Sequence, residues 1–101
     1  MEKQDFREHT RYTITRRDEH GHLRAKNIYI YRLYSDFTIA RLLDTSGLLR
    51  TLHYADVTKI VTTTGVPRSR RFLLPEAVLA EANWTDRSTM QIDSSSPALG
   101  K

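Results

Sequence analysis

Cysteine is absent from the 101 residues. That removes disulfides, zinc–thiolate and iron–sulfur ligation and a thiol nucleophile together, so packing must hold the fold. The composition suits a reducing compartment, and a cytoplasmic location is expected. No run approaches the ~18 apolar residues of a membrane span, and Met1-Glu2-Lys3-Gln4-Asp5 lacks the apolar centre of a signal peptide, so no membrane partner is expected. Also missing are a glycine-rich phosphate loop, a His-Glu-x-x-His helix and a Gly-x-Ser-x-Gly elbow. No pair of carboxylates stands out as catalytic, and a chain of this length accommodates one compact domain without a deep interdomain pocket. The expectation is a non-enzymatic protein with no cofactor and no bound metal.

Negative charge is in short supply. Sixteen Lys and Arg face twelve Asp and Glu, a net charge of +4, and twelve of the cations are arginine. Residues 1–71 carry 14 cations and 8 anions, whereas residues 72–101 carry 2 and 4. The basic part is thus the part with core-forming patterns, which suits a polyanion as ligand and equally a solvated, soluble surface.

Residues 1–10 are polar apart from Phe6 and read as a flexible leader or a short helical turn. Period-two alternation starts at Arg11-Tyr12-Thr13-Ile14-Thr15-Arg16, rich in β-branched and aromatic types. Arg17 to His22 forms a polar turn around Gly21, and Leu23 to Tyr34 returns as the second arm of a hairpin. That strand is apolar on both faces, which implies a central position, a strong bend or a subunit contact. Phe37 to Asp44, Leu48 to Tyr54 and Val57 to Thr64 complete five strands, separated by Ser35-Asp36, Thr45-Ser46-Gly47 and Ala55-Asp56. Pro75 and Glu76 begin a helix over about 75–84, whose Leu74, Val78 and Leu79 face the sheet. Residues 85–101 read as a flexible tail. The expected architecture is mainly β: a small SH3-like or Sm-like five-stranded barrel over 11–84 with a short C-terminal helix.

The segment 27–61 resembles the Sm-like barrel half of the WYL domain of bacterial transcriptional regulators. The likeness lies in Ile28-Tyr29-Ile30-Tyr31-Arg32-Leu33, Phe37-Thr38-Ile39-Ala40, Asp44-Thr45-Ser46-Gly47 and Arg50-Thr51-Leu52-His53-Tyr54, with Asp56 and Ile60. The Trp-Tyr-Leu triplet that names the family falls on Asp36-Phe37-Thr38, so the defining motif is absent. The resemblance implies a nucleotide or nucleic-acid ligand against a basic strand face.

The residues themselves suggest a related surface. Arg16, Arg17, Arg24 and Lys26 lie on the first hairpin, and Arg68, Arg70 and Arg71 crowd the loop before the helix. If the fold brings both clusters to one rim, seven cations line a groove for RNA or DNA phosphates, with Tyr29, Tyr31 or Tyr34 as stacking rings. Alternatively the tyrosines are core and the arginines keep strand edges soluble. A different class of function, protein interaction or self-assembly, rests on the apolar strand 28–33 and on Trp84 as an anchor. His20 and His22 flank Gly21 beside Asp18 and Glu19, and His53 neighbours Asp44 and Asp56. Both arrangements are common on small domains and point to a solvated tip and a strand-surface hydrogen bond.

Overall fold

A computed structural model describes residues 1–84 and 89–90. Its strands are β1 (Thr10–Arg17), β2 (Leu23–Leu33), β3 (Phe37–Leu42), β4 (Leu49–His53), β5 (Val57–Gly65) and the short β6 (Thr89–Met90). All pairings are antiparallel, in the order β5-β1-β2-β3-β4-β6. The fold is thus mainly β, and among the described residues no ladder joins β5 to β4 or β6. β6 falls inside the segment expected as a tail and pairs Thr89 with Arg50. The rest of that expected tail lies outside the described residues.

Turn chemistry fixes the hairpins. Asp18 Oδ1 accepts from the backbone N–H groups of His20 and His22, both at 2.9 Å, while Gly21 takes φ 82°, a left-handed conformation that glycine adopts without steric penalty. At the β3–β4 connection Asp44 accepts from Ser46, and Gly47 takes φ 59°. The Tyr54 hydroxyl closes the β2–β3 turn, 2.6 Å from the Tyr34 carbonyl and 2.8 Å from that of Phe37.

The sheet has two apolar faces. On the inner face Tyr12, Ile14, Ile28, Ile30, Ala40, Leu52, Tyr54 and Val57 are buried together with Phe6. Phe6 packs edge-on to Tyr12 and stacks on Tyr54, with ring centroids 5.2 and 5.7 Å away. Residues 1–10 contribute to the core: a 3-10 turn at Lys3–Asp5 delivers Phe6 into it.

On the outer face Tyr29, Tyr31, Ile39 and Leu49 are covered by residues 66–84, through Val66, Phe72, Leu74, Val78, Leu79 and Trp84. A register shift between Ile30 and Arg32 makes Tyr31 the extra residue of a β-bulge. Strict alternation would put Arg32 inward. The bulge instead sends Tyr31 and Arg32 both outward, where Arg32 forks onto both Glu76 oxygens at 2.9 and 2.7 Å, and it returns Leu33 to the inner cluster.

The C-terminal helix is shorter than the expected 75–84. Helix α1 spans only Glu76–Leu79; Ala80 has ψ 134°, and a 3-10 turn, Glu81–Trp84, follows. Pro75 precedes the helix in an extended conformation and does not form its first turn. Two short turns replace one longer helix in a segment fastened at several points, both outside it and within it. The Tyr34 hydroxyl donates to the Leu79 carbonyl and Arg32 holds Glu76, while Trp84 Nε1 folds back to donate to the Val78 carbonyl at 2.9 Å.

Candidate functional site

β1 and β4 are three positions apart in the sheet order, about 14 Å if the sheet were flat. Arg16 on β1 and Arg50 on β4 nevertheless line one depression, so the sheet curls about its inner face. Lys26 of β2 joins them, and the floor is Ile14, Ile28, Ala40 and Leu52. Period-two geometry accounts for the set: Arg16 follows Ile14, Lys26 precedes Ile28 and Arg50 precedes Leu52 by two residues, so each cation shares the inward side of its apolar neighbour.

The electrostatics of the depression are one-sided. The Nε atoms of both Arg16 and Arg50 are buried and have no hydrogen-bond partner among the described residues. Burial first, and the charge of Arg50 second, hold Arg16 below the usual arginine range, partly offset by Asp56, Asp18 and Glu19. Arg24, opposite Arg16 in the β1–β2 register, is instead bound to Asp18 at 3.1 Å. The His22 backbone N–H foremost, with the Arg24 and His20 hydrogen bonds, holds the Asp18 carboxyl below the ordinary range. Three cations thus stand over one apolar floor, two of them with buried Nε donors that have no hydrogen-bond partner among the described residues.

The structure does not bring the two predicted basic clusters to one rim. Arg16, Arg24 and Lys26 share the inner side, while Arg17, opposite the exposed Leu23, alternates away from it. Arg68 and Arg70 lie in a 3-10 turn that leads to the outer-face cover. There Arg70 borders a groove with Arg11, Thr64, Val66 and Phe72. Arg71 donates from Nε to the Val66 carbonyl at 3.3 Å and acts on His9. The tyrosines offered as stacking rings are spoken for. Tyr29 and Tyr31 are 0% and 2% exposed and have no ring face open to a base. Tyr29 meets His9 Nδ1 at 2.6 Å, Tyr31 accepts from Arg41 Nε at 2.8 Å, and half-buried Tyr34 packs on Phe37. Burial pushes the Tyr29 hydroxyl up to about 12, so it serves as a neutral hydrogen-bonding group. The second apolar face of strand 28–33 is therefore filled from within the chain.

The histidine arrangements are equally local. The His20 and His22 rings stand 6.3 Å apart, and Asp18 engages their backbone rather than their imidazoles. Among the described residues no three His, Asp or Glu side chains group as metal ligands, and no helix is long and apolar enough to cross a membrane.

Arg50 is the member of the site that sequence reasoning missed. Its signal was the two-residue spacing to Leu52, readable only once β4 was known to face β1 across the curl. No protein-family model, no curated protein and no solved structure matches the chain.

Proposed function

We propose that the chain is a small non-enzymatic binding module that takes up nucleic acid through the basic mouth of its inner face. The observation that supports this reading is the convergence of Arg16, Lys26 and Arg50 on one depression, with the buried guanidinium Nε groups of Arg16 and Arg50 unpartnered among the described residues. The reading also takes the curled sheet as a small barrel of SH3-like or Sm-like type, akin to the barrel half of the WYL domain. In that case the ligand lies against a basic strand face. Electrostatic capture by Arg16, Lys26 and Arg50, with Arg24 at the hairpin, supplies affinity; the buried tyrosines play no stacking part.

Fluorescence anisotropy with labelled single-stranded and duplex oligonucleotides over about 50–200 mM salt tests it. Micromolar or tighter binding with a steep salt dependence is expected. Replacing Arg16, Lys26 and Arg50 together by methionine should weaken binding and reduce the single-strand salt slope by about 2, since each lost phosphate contact removes roughly 0.7. Replacing Arg68, Arg70 and Arg71 by alanine, on the other side of the sheet, should have the smaller effect. Absence of binding at low salt overturns the proposal, and a larger effect of the loop triple overturns the site.

A further inference from the structure

Among the described residues His9 is the only one other than glycine with a left-handed backbone, at φ 54°, a conformation that persists only where its surroundings hold it. Three contacts do so. Its N–H donates to the Ile30 carbonyl of β2 at 2.7 Å, its carbonyl accepts from the Val66 N–H at 3.3 Å, and its Nδ1 lies 2.6 Å from the Tyr29 hydroxyl. His9 thus pins the N-terminal arm, the sheet and the start of the outer-face cover at one point. Tyr29 extends the connection into the cover: the Phe72 backbone N–H acts on its hydroxyl, and the Phe72 ring meets the Tyr29 ring in a T at 4.9 Å.

The hydroxyl proton of buried Tyr29 has no acceptor among the described residues other than His9 Nδ1. That assigns Nδ1 as the acceptor and puts the imidazole's own proton on Nε2. Protonation replaces the acceptor with a second donor, so the hydroxyl proton must turn away from its partner and the bond between arm and sheet is lost as it stood. The charges around the ring oppose the proton further. Burial and Arg71 of the cover count most, Arg32 of β2 adds to them, and Glu8 of the arm offsets them in part. Neither Arg32 nor Glu8 is free of other duties, since Arg32 forks onto Glu76 and Glu8 accepts from the Leu33 N–H at 3.3 Å. Lifting the cover takes Arg71 away and lets water reach the imidazole, so the lifted form binds the proton more readily. We propose that His9 is a proton-operated latch: neutral, it fastens the leading end of the cover, Val66 to Phe72, to the sheet through Tyr29, and protonated, it lets that end lift. The far end stays held by the Arg32–Glu76 fork and the Tyr34–Leu79 bond, so the motion is an opening and not an unfolding. Val66 and Phe72 also line the groove flanked by Arg11 and Arg70, and the latch thereby sets its width.

Amide hydrogen exchange of the full chain, followed by NMR at about pH 7 and about pH 5 and divided by the intrinsic rates, tests the latch. The Val66 and Phe72 amides should open about three- to tenfold more often at the lower pH, the worth of one hydrogen bond, while the ladder amides of β2 and β3 keep their protection. His9→Asn accommodates the backbone but cannot take the charge, so its Val66 and Phe72 amides should show no such change. The other three histidines remain in that variant, which assigns the difference to position 9. Tyr29→Phe keeps the ring packing and removes the hydroxyl, and should shrink the dependence on pH. Loss of protection spread evenly over the sheet overturns the latch and leaves His9 a contributor to global stability alone. Equal protection at both pH values, or a wild-type response in His9→Asn, overturns it as well.

Discussion

Truncating Trp84 to alanine tests whether residues 66–84 are a structural part of the sheet or a loosely laid cover. Trp84 is 5% exposed, packs in the outer cluster and donates its indole N–H to the Val78 carbonyl. A tryptophan buries about 150–250 Å², which at about 25 cal/mol per Å² is roughly 4–6 kcal/mol, an upper bound because the unfolded chain already hides part of that area. Alanine retains a little of the burial, and water can reach the freed Val78 carbonyl. An expected loss of about 3 kcal/mol lies at the low end of measured aromatic-to-alanine truncations. For a domain of this size it lowers Tm by about 12–24 °C.

Trp84 is the only tryptophan, so far-ultraviolet circular dichroism has to follow the unfolding. A second readout separates global loss from local release. If the cover lifts, the ring faces of Tyr29 and Tyr31 and the side chains of Ile39 and Leu49 are uncovered, and the variant should bind a hydrophobic dye and associate as concentration rises. A destabilisation below about 1 kcal/mol with no dye binding would refute the account of the outer face as a second core.

Three further perturbations address single contacts. Arg41 is 4% exposed and, with no ion pair among the described residues, donates to the Tyr31 hydroxyl and the Gly47 carbonyl while its guanidinium lies 5.0 Å from the Phe72 ring centre; Arg41→Lys loses that planar fork, and chemical denaturation should show a loss of about 2 kcal/mol. His9 is held below its ordinary 6.5 first by burial and then by Arg71, so the unfolded chain binds the proton more readily; stability is full above about pH 6.5 and falls as pH drops towards the folded value. His9→Asn, which tolerates the φ of 54° at that position, should flatten a Tm-against-pH curve in this window, and an unchanged slope would remove His9 from the account. Gly21→Ala meets open space but must hold φ 82°, so thermal unfolding should show a cost of about 1 kcal/mol from backbone strain alone, with Gly21→Asn losing less.

Much of the sheet was legible because its turns are chemically explicit. Gly21 after Asp18, Gly47 after Asp44 and the Tyr54-Ala55-Asp56 corner each mark a reversal, and alternation between them assigns the strands. The helix was less legible. Alanine-rich composition favours helix over 76–83, but hydrogen bonds anchor this segment to Arg32 near the end of β2 and to Tyr34 in the turn after it. Contacts made across more than forty residues of sequence override a propensity worth tenths of a kcal/mol per residue.

β2 shows where a face assignment from alternation stops. Up to Tyr31 the alternation holds, with Ile28 and Ile30 inside and Tyr29 and Tyr31 outside, and it would then place Arg32 among the inner cations. A bulge adds one residue without a compositional mark, and it turns Arg32 away to bind Glu76 instead. The opposite omission befell Arg50, whose inward direction follows from Leu52 but whose neighbours depend on register. Register between β3 and β4 is set at the Asp44–Gly47 turn, which places Arg50 against Ala40, and Ala40 in turn lies against Ile30. A small side chain at position 40 leaves the floor open beneath the two guanidiniums. Ala40 is thereby the floor position flanked by both Arg50 and Ile30, an arrangement that alternation along one strand does not reveal.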